Sequence, residues 1–282
     1  MASRAEQKAL ARAKRIEYER KLVEDARRKQ RLARLGGVVI AAAVIIVAAI
    51  VISSKNSPSA PVKPNSKASK IVEARVDKLL SGIPQSGNTL GSPNAPVQVT
   101  FYGDLECSAC DYFADAPTTD TSDGIPGSGL ENQLINTYVR PGQAQIVYRS
   151  LETATGSGAT PDMFPTQQAA VGSAGLQQKA WYYIELFYNE QGAEGTTYVT
   201  PTFLDNLAKQ VPGLNYNEWL GDLSNDSSLT TQVSSDERAA AAAGYNSTPT
   251  IVIKGPKGQA AAISGVPTGE WSQIQKDIKA VR

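Results

Sequence analysis

No histidine occurs anywhere in the 282 residues. That absence removes Cys–His and Ser–His nucleophilic catalysis, His-ligated zinc and the side chain that most often shuttles protons near neutral pH. Cysteine is almost as scarce. There are two, too few for a zinc site built from four cysteines. Hydrophobic content of 41% and charge of 20% are ordinary for a globular chain with a sizeable core, and the length allows one or two domains. The formal net charge of +1 conceals an asymmetry. Residues 1–34 carry twelve Lys/Arg against five Asp/Glu, whereas the remaining 248 carry sixteen against twenty-two. One end is basic and the rest is acidic.

What is present begins with a long apolar run. Residues 35–52 contain no charge and no strong polar group, and as a helix they reach about 27 Å, nearly the ~30 Å of a hydrocarbon core. Ser53 and Ser54 complete a span over 35–54. The basic residues before it place residues 1–34 in the cytoplasm and everything after it outside. A cleaved signal peptide is the rival, but the leading segment is long, and Pro58 and Pro61 flank the small-residue site at Ala60. The expectation is a single-pass anchor in the cell membrane. Residues 1–34 form a solvated, partly helical segment held by pairs such as Glu17–Lys21 and Glu24–Arg28, with adhesion to anionic lipid as its functional alternative. With Tyr18 as its one aromatic, this basic run is not a nucleic-acid site. Residues 55–70, rich in Pro, Ser and Lys, read as a linker.

From 71 onward the pattern alternates between strand and helix. A short amphipathic helix is predicted over 71–80. Val97, Val99 and Phe101 alternate with polar neighbours as a strand, and 145–149 form a second. A mostly helical stretch follows, with helices over 166–190, 201–210, 217–223 and 227–243, the last ending at Gly244. Strands return at 250–254 and 260–264 around a hairpin turn over 255–258. A closing helix over 270–281 has Trp271, Ile274, Ile278 and Val281 on one side.

The two cysteines stand three apart, as Cys107-Ser108-Ala109-Cys110, directly after the first strand. A strand, a short turn and a Cys-x-x-Cys put the first thiol at a helix N-terminus. There the helix dipole and free N–H groups lower a cysteine pKa from ~8.5 to between ~3.5 and ~7.5. Cys107 is then the exposed nucleophile and leaving group, and Cys110, one turn inward, is the resolving thiol. A plain structural disulfide is the alternative. Thr248-Pro249, just before a strand, reads by itself as an ordinary proline at a strand start.

The stretch from Leu90 to Phe113, with its Leu-Gly-x-Pro-x-Ala-Pro-Val run, strand, Asp104 and Cys-x-x-Cys, resembles the DsbA-like thioredoxin-fold oxidoreductases, especially the membrane-anchored Gram-positive and actinobacterial kind. Thr248-Pro249-Thr250 is similar to a second motif of that family. The resemblance spans roughly residues 80–282. It implies an α/β, thioredoxin-like fold with an inserted helical subdomain at about 163–244, so that 71–282 form an extracytoplasmic domain behind a single transmembrane helix. It implies a redox-active Cys107–Cys110 pair with no cofactor and no metal. It also implies a cis Thr248–Pro249 bond packed against the pair, with the Thr248 backbone, Ser108 and Ala109 supporting substrate binding. The partners implied are exported cysteine-containing proteins and a membrane electron acceptor of the DsbB or vitamin K epoxide reductase-like type.

Departures from the family pattern matter too. Where many relatives carry Pro or His between the cysteines, this chain has Ser108 and Ala109. The family's buried acid, six residues before the first cysteine, is replaced by Phe101. Asp104 is a candidate substitute or else a solvated turn residue, and Glu106 is read as an exposed neighbour; both add negative charge near Cys107. The expected potential lies between the ~−270 mV of thioredoxin and the ~−120 mV of DsbA. Disulfide introduction is the first reading of function. Reduction or isomerisation of exported disulfides, and a tethered non-catalytic binding domain, are the alternatives. The aromatics Trp181, Tyr182, Tyr183, Phe187 and Tyr188 read as helix packing, with an apolar substrate groove as the alternative. The Asn246-Ser247-Thr248 sequon overlaps the proline motif and is discounted.

Overall fold

The structure, a computed structural model, describes residues 61–115, 127–155, 163–265 and 271–282. The expected cytoplasmic segment and the span at 35–54 lie outside the described residues. Among those described, no helix is long and apolar enough to cross a membrane.

The first helix, α1 (Lys67–Leu80), begins four residues earlier than the apolar pattern suggests, because Ser66 caps it and accepts the Ser69 N–H at 3.1 Å. A small hairpin follows, β1 (Gln85–Ser86) and β2 (Thr89–Leu90). The central strands are β3 (Val97–Gly103) and β4 (Ala144–Ser150), each strictly alternating buried and half-buried residues. They pair in parallel, Val97 opposite Ala144 and Gly103 opposite Ser150. On its other edge β3 pairs antiparallel with β5 (Thr250–Gly255), with Tyr102 opposite Thr250. The short strands β6 (Gly258–Gln259) and β7 (Ile263–Ser264) pair with successive parts of β5. Sheet order is β1-β2-β4-β3-β5-β6. Of the expected strand over 260–264 only Ile263–Ser264 is strand, and β6 precedes that range.

Between β3 and β4 lie α2 (Ser108–Ala114) and α3 (Leu130–Leu134), the latter running into a π-helical turn at Ile135–Val139. The inserted helices are α4 (Met163–Leu176), α5 (Ala180–Asn189), α6 (Pro201–Gln210), α7 (Tyr216–Asn225) and α8 (Ser227–Ala243), and α9 (Trp271–Val281) ends the chain. The sequence pattern predicts one helix over 166–190, but the structure has two. Gln178 adopts a left-handed conformation (φ 61°), and the Gln178 and Lys179 N–H groups fold back onto Gly175 and Ala174 carbonyls. That reversal lets α5 turn into the interior, where all ten of its residues are buried. The aromatics on α5 are therefore core, and the groove alternative fails for them. Trp181, for example, is fully buried with its indole N–H donating to the Asn88 carbonyl at 3.0 Å.

Under the end of β3 the core is aromatic. Phe101 packs edge-on against Phe113 at 5.2 Å and Tyr148 at 5.5 Å, with Tyr188 at 6.2 Å. Gly103 closes the strand where no side chain fits: a Cβ there would lie 2.8 Å from both the Tyr148 ring and the Tyr188 hydroxyl. Those two hydroxyls donate to the carbonyls of Gly103 (3.1 Å) and Asp104 (3.3 Å), fixing the turn that follows.

Candidate active site

That turn carries the two thiols. Cys107 is the N-cap of α2, in extended conformation (φ −77°, ψ 118°), and its carbonyl accepts the N–H groups of Cys110 (3.0 Å) and Asp111 (3.1 Å). Opposite it stands Thr248, 141 residues away, whose carbonyl lies 3.6 Å from Cys107 Sγ. The Thr248–Pro249 bond is cis. The structure therefore brings Thr248 against Cys107, with Cys110 one turn on and Pro249 next to Thr248 in the chain. Ala109 packs half-buried against the core.

The sulfurs differ sharply. Hydrogen bonding from the Cys110 thiol holds the Cys107 pKa below the ordinary thiol value; burial opposes this, and the Thr248 hydroxyl and Cys110 amide assist. Burial, together with Cys107, drives the Cys110 thiol well upward. Both are unpaired thiols here. One sulfur is poised to ionise and the other to keep its proton. That is the division of labour exchange requires. The floor beneath them is Phe101, Tyr148 and Tyr188, and burial pushes both phenols well above their usual range, so none of the three takes a proton from Cys110.

Two expectations need correction, for Cys107 and Glu106, and one of the two alternatives for Asp104 falls. Cys107 is not an exposed sulfur: the residue keeps 6% of its surface. Asp104 is not a solvated turn residue. It is fully buried and accepts five hydrogen bonds, from the Glu106 N–H (3.0 Å), the N–H groups of Thr153 (2.9 Å), Ala154 (2.8 Å) and Thr155 (2.9 Å), and the Thr155 hydroxyl (2.7 Å). It ties the thiol turn to residues 153–155, whose Thr153 hydroxyl meets that of Thr248. Glu106, expected to be exposed, is 1% accessible. Its carboxylate accepts from the buried Gln167 amide at 3.3 Å, and its N–H is held by Asp104.

Burial raises the Glu106 carboxyl to about 7; the Asp104 charge adds to this, and hydrogen bonds from Gln167 and Thr155 oppose it. Because the folded value lies above the reference 4.5, Glu106 favours the folded state fully below pH 4.5, and this contribution is lost as pH rises through 7. Glu106→Gln should remove that decline. Urea midpoints measured from pH 4 to pH 8 should match wild type at the acid end and exceed it at the alkaline end.

Sequence reasoning missed Glu194. This exposed carboxylate, in the loop between α5 and α6, accepts both the Ser108 N–H (2.9 Å) and the Ser108 hydroxyl (2.7 Å). Its loop is anchored next door, since Gln191 donates to the Leu105 carbonyl at 2.5 Å and Gly192 lies flat against the Tyr198 ring, where a Cβ would come within 2.7 Å. A cleft of about 410 Å³ between the β1–β2 hairpin, β4, α4 and α8 includes neither cysteine nor Thr248, although Tyr148 lines it.

A parallel β3–β4 pair, an antiparallel β5 beginning at a cis-proline and a Cys-x-x-Cys at the N-terminus of α2 define one architecture. The fold is thioredoxin-like, with inserted helices. Residues 127–265 match the family model described as Thioredoxin, a span that includes Thr248-Pro249 and begins beyond the cysteine pair. The same fold occurs in oxidised BdbD from Bacillus subtilis, 17% identical, with 79% of this chain and 97% of that one covered at a TM-score of 0.53. It occurs also in the thiol-disulfide exchange protein alpha-DsbA2 from Wolbachia pipientis, 13% identical, covering 77% and 100% at 0.51. DsbA from Chlamydia trachomatis, 20% identical, covers 68% and 89% at 0.50. No curated protein matches the chain. Within this thioredoxin-like fold Phe101 fills the position where the resemblance implies a buried acid, and it does so as the hub of the aromatic core.

Proposed function

We propose that this protein is a dithiol–disulfide oxidoreductase that introduces disulfides into exported proteins, held at the outer face of the cell membrane by residues 35–54. The observation that carries the chemistry is the asymmetry of the thiols: Cys107 favoured as thiolate at a helix N-cap, Cys110 buried and protonated one turn on. The address rests on the apolar run and the basic segment before it.

In the oxidising direction a substrate thiolate attacks Cys107 Sγ of the Cys107–Cys110 disulfide. The sulfur–sulfur bond breaks, and Cys110 leaves and takes a proton. A second substrate thiolate then attacks the substrate sulfur of the mixed disulfide, and Cys107 leaves as a thiolate. Two electrons pass to the enzyme and the substrate gains a disulfide. Favouring the Cys107 thiolate favours the reduced form, which makes the disulfide more oxidising. The substrate lies as an extended segment against the Thr248 backbone. A quinone-linked membrane protein of the DsbB or vitamin K epoxide reductase-like type restores the disulfide.

The carboxylate on Ser108 works against the thiolate and favours a second reading, reduction or isomerisation of exported disulfides. One experiment separates the readings. Cys110→Ala, which leaves mixed disulfides unresolved, should trap partners through Cys107 in the native cell, and resting wild-type protein should be found oxidised. A reduced resting state would select the second reading, and no trapped species would remove both.

A further inference from the structure

The surroundings of Cys107 are acidic on two sides. Glu194 lies against Ser108 on one side. On the other, beyond Thr153 and Thr248, lie Glu152 and Glu237, joined by the Glu152 N–H donating to Glu237 Oε1 at 2.7 Å. Burial and the Asp104 charge raise Glu152; burial also raises Glu237, the Glu152 N–H opposes this, and the charges of Glu152, Asp104 and Asp236 add to it. Arg149, three residues before Glu152, is committed to Asp236 at 2.6 Å, and Arg238 directly follows Glu237 on α8. Glu194 is the carboxylate whose charge acts against ionisation of Cys107.

Glu194 has a second effect. The Ser108 N–H belongs to the first turn of α2, where unpaired amides ordinarily favour an anion at the helix terminus. Here the carboxylate already occupies that amide and the adjacent hydroxyl. One Glu194 oxygen, Oε2, takes both contacts, and the group as a whole remains exposed. A cation arriving with the substrate would meet this carboxylate before it met any other charge bonded to the Cys-x-x-Cys turn. Pairing would cancel the repulsion on Cys107 as the exchange begins.

We propose that Glu194 is a specificity-determining residue, which selects substrate cysteines that have lysine or arginine beside them. The inference rests on the exchange chemistry proposed above and names its substrate class. Rim charges of this kind act on association and are weakened by salt.

The test uses full-length oxidised protein in detergent and two reduced peptides with the same Cys-x-x-Cys core, one flanked by lysines and one by glutamates. Each peptide passes two electrons to the Cys107–Cys110 disulfide and becomes a disulfide itself. Acid-quenched samples give the rate. At low salt the wild type should oxidise the lysine peptide faster, by about ten-fold more than the intrinsic difference between the peptides against oxidised glutathione. Glu194→Gln should reduce that excess to about two-fold, Glu194→Lys should invert it, and raising the salt should shrink it in the wild type. A structural role alone would slow both peptides equally. An excess of the same size in all three proteins would overturn the role of Glu194 and leave the exchange chemistry standing. No reaction with either peptide, or with glutathione, would overturn both.

Discussion

Cys107→Ser should abolish disulfide exchange, lowering turnover with a dithiol substrate by at least about a thousand-fold, and leave stability within about 1 kcal/mol of wild type. The reason is that the remaining thiol cannot take over. Cys110 is fully buried, and burial holds its proton in place, so it presents neither a thiolate nor access to a substrate. Serine matches the small size of cysteine and can still hydrogen-bond to the Thr248 carbonyl, so the packing around the turn survives. Hirudin or reduced ribonuclease refolding, read beside a thermal melt, checks both halves. Activity unchanged by the substitution would eliminate the oxidising and reducing readings together and leave a tethered binding domain.

Asp104→Ala should be the most destabilising change at the site, about 3–5 kcal/mol, or a fall of roughly 10 °C in Tm. The carboxylate has five donors on it, four of them backbone N–H groups, and all belong to the Glu106 turn or residues 153–155. Removing it strands buried donors that water cannot reach without opening the turn, and unsatisfied groups of this kind cost about 1–3 kcal/mol each before relaxation. The loss should extend to activity, because the same residues hold Thr153 against Thr248 and thereby Thr248 against Cys107. Asp104→Asn should fall between the two, since its carbonyl keeps one oxygen's contacts while its amide meets N–H groups head-on. Chemical denaturation midpoints of the three proteins, compared at one pH, check the order.

The elements with strong periodicity were legible in the sequence, and they are the ones around the site. Val97, Val99 and Phe101 alternate with polar residues because β3 has one face on each layer, and the pattern in 145–149 is the same for β4. Cys107 and Cys110 announce themselves by spacing. Thr248-Pro249 does not, and only the family resemblance placed it against them. The β1–β2 hairpin was too short for a pattern, although Ser86-Gly87-Asn88 is a turn signal. Leu130, Leu134, Ile135, Tyr138 and Val139 carry a helical period that covers α3 and its π turn, a readable signal passed over.

What was not legible depends on contacts between distant segments. Asp104 and Glu106 look like surface residues of a turn, and nothing local says that residues 153–155 and Gln167 will enclose them. Glu194 sits 86 residues from Ser108 in a loop without periodicity, so its carboxylate could not be assigned to the helix it touches. Phe101 was recognised as a missing acid, but its role as the aromatic hub under the thiols emerges only from packing with Phe113, Tyr148 and Tyr188.

The chemistry throughout depends on one sulfur ionising while its neighbour does not. The direct measurement is the thiolate absorbance of the reduced full-length protein as pH is raised, with Cys107→Ser as the blank. A single thiol should ionise below the ~8.5 of a free cysteine, and the signal should vanish in the variant. Ionisation at or above that value, or a low-pH signal that persists without Cys107, would contradict it.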